Sequence, residues 1–126
     1  RLAHTFMTEV VANATHGIDL HTGAIDRTNL PQVRVSLDQE DAVAMAHGFR
    51  VPLILHANLR DGSMRQTVLE HGVPVLLYEA GEALRLDERS VRIGLRGVVS
   101  VTPSAYSDSK RRFRRKWLMA NREAMV

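Results

Sequence analysis

Two apolar runs, well separated along the chain, constrain this sequence more than anything else in it: Ile18-Asp19-Leu20-His21-Thr22-Gly23 and Leu76-Leu77-Tyr78-Glu79-Ala80-Gly81. Each ends on a polar side chain able to do chemistry. In an open α/β sheet, ligands bind outside the carboxyl ends of the strands. If both runs are neighbouring strands, His21 and Glu79 share one rim, which places a metal-ligating imidazole beside a carboxylate base.

The intervening sequence alternates between helical and strand periods. Leu2, Phe6, Val10 and Ala14 recur every fourth residue and predict an amphipathic helix over 2–14, closed by Gly17. A short strand over 18–21 follows, then a long polar loop over 23–34 held by Pro31, a candidate wall of a site. Asp38 is expected to cap a helix from Gln39 to about His47, and 52–55 reads as a buried strand carrying His56 and Asn58 to the same rim. Ser63 predicts the N-cap of a helix over 64–70 that Gly72 closes, and 73–78 forms the next strand. Asp87 starts a longer helix that Pro103 is expected to end. Strands separated by helices of this length predict βαβ units in an α/β fold of three layers, a mainly parallel or mixed sheet flanked by helices.

Composition narrows the chemistry. The 126 residues, 44% hydrophobic and 25% charged, suit one folded unit with an ordinary core. Without cysteine there are no disulfides or thiolate metal sites, so any metal is held by His and carboxylate, which suits zinc or another divalent ion. No apolar stretch approaches the ~18 residues of a membrane span, and the N-terminus lacks the layout of a signal peptide. A soluble, cytoplasmic protein with no membrane partner is expected.

Four segments together resemble a known family. They are Asp19-Leu20-His21-Thr22-Gly23, the stretch Arg27-Thr28-Asn29-Leu30-Pro31-Gln32-Val33-Arg34, Gly62-Ser63-Met64-Arg65 and Tyr78-Glu79-Ala80-Gly81-Glu82. In order and spacing they are similar to the succinylglutamate desuccinylase/aspartoacylase family, zinc-dependent deacylases related to the zinc carboxypeptidases. The resemblance runs from about residue 1 to residue 103. It implies a zinc-exopeptidase-like fold, a Zn2+ cofactor, and hydrolysis of the amide of a small carboxylate-bearing N-acyl amino acid such as N-succinylglutamate, N-acetylaspartate or an N-acetyl diamino acid. By the same resemblance His21 is a zinc ligand, Asp19 orients the site, Glu79 is the catalytic acid/base, and Arg65 anchors the substrate carboxylate. Arg27, Asn29 and Arg34 are secondary candidates for shaping the pocket. The family's other two ligands come from an upstream His-x-x-Glu motif. No such motif precedes His21, because His4 is followed by Met7. The expectation is therefore a catalytic domain truncated at its N-terminal side, holding half a metal site and inactive by itself.

The C-terminal part supports a reading from a different class. Residues 104–126 lead through serines into Lys110-Arg111-Arg112-Phe113-Arg114-Arg115-Lys116, basic at six of seven positions with Trp117 adjacent. Such a run can bind phosphate backbones. Net charge is only +3, however, and no basic stripe follows a predicted helix. A linker, or the start of the small β-rich domain that the family resemblance implies after the catalytic one, is favoured over a nucleic-acid interface. A non-catalytic fragment that self-associates through exposed strand edges is the third expectation, with a homo-oligomer as its form.

Overall fold

The computed structural model describes residues 2–58, 63–107 and 117–121, with side chains for 4–58 and 63–102. In chain order the elements are a helical segment opening with α1 (Leu2–Thr5), then β1 (His16–Gly23), β2 (Asn29–Val35), α2 (Glu40–Phe49), β3 (Leu53–His56), α3 (Met64–Glu70), β4 (Val75–Glu82), α4 (Glu88–Ser107) and β5 (Trp117–Asn121). The strands form one five-stranded sheet in the order β3-β2-β4-β1-β5. β1 is parallel to β4 and β5, β2 is parallel to β3, and β2 runs antiparallel to β4, so the sheet is mixed. The basic run 110–116 lies outside the described residues.

Alternating side chains divide the sheet into two faces. Ile18, Val33, Val35, Leu76, Tyr78 and Ala80 point to a core shared with Ala42, Met45, Ala46 and Phe49 of α2 and Val101 of α4. That core is the larger one and fixes strand register, since a slip of one residue would turn every inward side chain outward. On the opposite face, Val75 joins Val11, Val68 and Val73 under the N-terminal helical segment and α3. Helices therefore cover both faces, giving the three layers expected. A close approach makes the α4 contact possible: a Cβ on Gly97 would lie inside the ring of Phe49, which is 1% exposed. No helix among the described residues is long and apolar enough to cross a membrane.

Several local expectations meet the structure closely. Ser63 caps α3, its Oγ accepting from Gln66 N at 3.2 Å, and Gly72 closes it at φ +75°. Others are corrected. The helix expected over 2–14 starts as α1, passes through a π-helical turn (Phe6–Val10) and a 3-10 turn (Val11–Asn13), and ends before Gly17, which is a strand residue. The loop expected over 23–34 is a loop only over 24–28, because Val33 and Val35 alternate into the core and make 29–35 an interior strand. Pro31 does not interrupt this strand. It lies where pairing with β4 is irregular, between Asn29 and Gln32, and just before pairing with β3 begins at Gln32. A proline, having no N–H to give the ladder, is tolerated at such a break. The strand at 53–56 is half-exposed at the sheet edge, where it was expected buried. α4 carries on through Pro103 for four more residues to Ser107, so that proline does not end it.

Candidate active site

The sheet puts His21 and Glu79 side by side. They are register partners on the parallel strands β1 and β4, near the carboxyl ends of both. The same pairing sets Asp19 beside Leu77, while β2 sets Gln32 beside Glu79 and Arg34 beside Leu77. Asp19, His21, Glu79, Gln32 and Arg34 thus share the sheet face opposite the main core. The polar positions were already fixed by alternation: each lies one residue out of phase with Ile18, Leu20, Leu76, Tyr78 and Val33.

Asp19 is 5% exposed and its Oδ1 lies 3.0 Å from His21 Nε2. The distance is that of an ion pair, but the alignment is not that of a hydrogen bond, and Oδ1 has no donor among the described residues. With Nε2 beside a carboxylate, Nδ1 is the His21 nitrogen without such a contact. Glu79, partly buried, accepts from Asn29 Nδ2 in a short bond and from Arg34 Nη2 at 3.4 Å, both on Oε1. Both donors come from β2. Its antiparallel run beside β4 brings Asn29 and Arg34 to either side of Glu79's own partner, Gln32.

Glu82 is the residue that sequence reasoning missed. It is 7% exposed at the end of β4, and β4 lies between β1 and β2 in the sheet. The β1–β2 connection must therefore cross over that end. Glu82 holds the crossing segment: Oε1 accepts from Asp26 N at 3.1 Å, Oε2 from Thr28 Oγ1 at 2.9 Å, and Arg85 Nε lies 3.5 Å from Oε1. A buried carboxylate is tolerated only with such partners. The Glu82 in Tyr78-Glu79-Ala80-Gly81-Glu82 was visible, but nothing local showed that a loop would pass above it. Gly23 makes the crossing possible, since a Cβ there would sit 2.8 Å from Gly81 O, 3.1 Å from Asn29 Nδ2, and closer still to Arg27 O.

The remaining candidates lie on other elements. Arg27 is exposed on the crossing loop. Arg65 is the second residue of α3 and half-buried. His56 and Asn58 do not reach the rim of His21 and Glu79. β3 runs with β2 and against β4, so the carboxyl end of β3 points to the opposite end of the sheet. His56 there accepts from Leu37 N at 3.3 Å through Nδ1 and pairs with Asn58 Oδ1 at 3.0 Å, a structural arrangement.

Beside the rim, on the core face, opens a largely apolar cavity of about 530 Å³ lined by Leu20, Tyr78, Leu84, Leu86, Leu95 and Val98 among others. Tyr78 donates to Ser90 O at 2.7 Å, and burial, with Asp87 adding to it, pushes its hydroxyl up to about 12. Asp87 is held below the ordinary carboxylate range, chiefly by the Ser90 hydroxyl and further by the Arg89 and Ser90 amides it caps. Neither group belongs to the polar face of the sheet.

Residues 1–105 match the model of the succinylglutamate desuccinylase/aspartoacylase catalytic domain. No curated protein matches the chain. Among solved structures, a succinylglutamate desuccinylase/aspartoacylase from Rhodobacter sphaeroides is similar at TM-score 0.72 and 23% identity, over 82% of this chain and 32% of that one. The product-bound ectoine utilization protein EutE (DoeB) from Ruegeria pomeroyi is similar at TM-score 0.73 and 20% identity, over 95% of this chain and 38% of that one. Its apo form gives TM-score 0.72 and 19% identity, over 95% of this chain and 40% of that one. At these identities the likeness shows the fold alone. The chain spans 32% to 40% of the length of these solved structures.

Proposed function

The chain belongs to the succinylglutamate desuccinylase/aspartoacylase family, and from that premise we propose that it carries the proton-transferring half of a zinc-dependent deacylase site. The substrate class is an N-acyl amino acid with a free carboxylate, such as N-succinylglutamate, N-acetylaspartate or an N-acetyl diamino acid. One observation carries the reading: His21 and Glu79 are register partners on parallel strands, with Asp19 against the one and Asn29 and Arg34 against the other.

Among the described residues, no three His, Cys, Asp or Glu side chains group as a metal site. The described residues therefore do not make a zinc centre by themselves. His21 is the proposed metal ligand and Asp19, whose Oδ1 lies 3.0 Å from its Nε2, the proposed carboxylate that orients it.

The chemistry assigned to this chain is proton transfer. Hydrolysis forms a bond between water oxygen and the acyl carbon and breaks the amide C–N bond, so one proton must leave the water and one must reach the departing amine nitrogen. Glu79 is the carboxylate within the cluster for that shuttle, since general acid–base catalysis needs a positioned group with a free oxygen. Arg65 is the proposed anchor for the substrate carboxylate, because a planar guanidinium takes a carboxylate bidentately.

The test is amine release by the full-length protein from a panel of N-acyl amino acids, with zinc supplied and then removed by a chelator. Activity that a chelator abolishes, and that Glu79→Gln lowers by about 10²–10⁴-fold, supports the reading. Full activity in Glu79→Gln refutes it.

A further inference from the structure

Asn29 and Arg34 leave the same strand and end on the same atom. Both donate to Glu79 Oε1, and no described contact engages Oε2. A carboxylate terminus otherwise rotates broadly about its last torsion. Here turning the carboxylate out of its bonded orientation would break both bonds at once, so one oxygen stays held while the other is open. We infer that Asn29 and Arg34 are positioning residues for Glu79, clasping the carboxylate by Oε1 and reserving Oε2 for proton exchange. The inference rests on the reading of Glu79 as the proton-transferring group, and it adds which oxygen works and what holds it.

The geometry also argues against the other use of these side chains. Bidentate recognition of a substrate carboxylate uses two parallel N–H groups on one edge of a guanidinium. Arg34 Nη2 is turned to Glu79, and Arg34 Nε is buried and without a hydrogen-bond partner. The edge formed by Nε and Nη2 is thus closed to a ligand. Asn29 has its amide nitrogen committed to Glu79 as well. The spacing Asn29-Leu30-Pro31-Gln32-Val33-Arg34 serves this clasp. Pro31 falls at the irregularity in the β2–β4 pairing, which separates the register of Asn29 from that of Gln32 and Arg34.

Two measurements on the same protein test the clasp. In the first, the side-chain amide signals of Asn29 are followed by NMR in the wild type and in Glu79→Met, which keeps the length of the side chain and removes the acceptor. The clasp requires those signals to move upfield and exchange faster in the variant; unchanged signals overturn it. In the second, hydrolysis of an N-acyl amino acid by the full-length protein is measured with zinc supplied for Asn29→Ala, Arg34→Gln and the conservative Arg34→Lys. Misplacement of the reacting group by ~1 Å costs on the order of 10²-fold, so a positioning role lowers kcat by about that factor in Asn29→Ala and Arg34→Gln. KM stays within about twofold, and Arg34→Lys recovers part of kcat. A raised KM at unchanged kcat would make the two residues substrate ligands and overturn the inference while leaving Glu79 as the base. Asn29 signals that respond to Glu79→Met, in a full-length protein that cleaves no N-acyl amino acid with zinc supplied, would overturn the proton-transfer reading itself, and the assignment of Oε2 with it.

Discussion

Gly23→Ala is the most informative single perturbation, because its cost follows from one crossing of the backbone. The φ of Gly23 lies outside the left-handed region, so alanine there meets no conformational penalty and the effect is one of contact alone. Its Cβ would approach Gly81 O to 2.8 Å and Arg27 O more closely still, both of them backbone atoms. An ordinary C···O contact is about 3.3 Å, so Arg27 must retreat by roughly 1 Å. Gly81 is held in the sheet by its pairing with Asn29 of β2, so the crossing loop moves instead. That shift stretches the 2.9 Å bond from Thr28 Oγ1 to Glu82 beyond hydrogen-bond range. A lost bond to a charged group costs about 1.5–3 kcal/mol, and overpacking adds about 1–3 kcal/mol. The expected loss is about 3–5 kcal/mol, a large share of the ~5–15 kcal/mol that stabilises a domain. Urea unfolding followed by far-UV circular dichroism reads it directly. With a slope of ~1–3 kcal/mol per molar, the midpoint falls by more than about 1 M. A loss below about 1 kcal/mol would refute the reasoning, because the loop would then be free to lift away from Glu82 at little cost.

Other perturbations test other contacts. Gly97→Ala gains about 1 kcal/mol of helix propensity but drives a Cβ into the Phe49 ring, which stacks on Tyr78 at 5.2 Å; overpacking of ~2–3 kcal/mol, at the upper end because the clash is with a buried ring, wins for a net loss of about 1–2 kcal/mol. In a Phe49→Leu background the same substitution becomes neutral or stabilising, and a double-mutant cycle in which the two losses simply add would sink the account. The Tyr78 hydroxyl is held up to about 12, whereas an unfolded tyrosine ionises near 10. The unfolded chain therefore loses that proton first as pH rises, so stability is full below about pH 10 and falls by about 2 kcal/mol on the way to 12. Thermal melts of wild type and Tyr78→Phe must converge over that range, and parallel curves would remove burial of the hydroxyl as the cause. Ser63→Ala removes the α3 cap and costs about 1 kcal/mol by urea unfolding; no change would mean that tertiary packing at Val68 alone holds the helix.

Local chemistry made much of the site legible. The run Ile18–His21 alternates core and site residues, as does Leu76–Glu79, so which side chains share a face follows from the two-residue period of a strand without knowledge of any partner. Ser63 and Gly72 bounded α3 because a cap and a left-handed closure are satisfied within one turn of chain. Tertiary structure decided the direction of β2. Nothing between Gly23 and Arg34 says whether that segment runs with β4 or against it, because strand pairing is a contact between distant residues. Its antiparallel course brings Asn29 and Arg34 onto Glu79, and it carries His56 and Asn58 to the far end of the sheet. The work of Glu82 and the need for glycine at 23 and 97 were hidden for the same reason. Each answers to a loop or a ring that arrives from elsewhere in the chain. The sequence by itself therefore determined β1, β3 and β4, the capped α3 and the pairing of His21 with Glu79 at one rim, whereas the sheet order determined β2 and what surrounds and orients the pair.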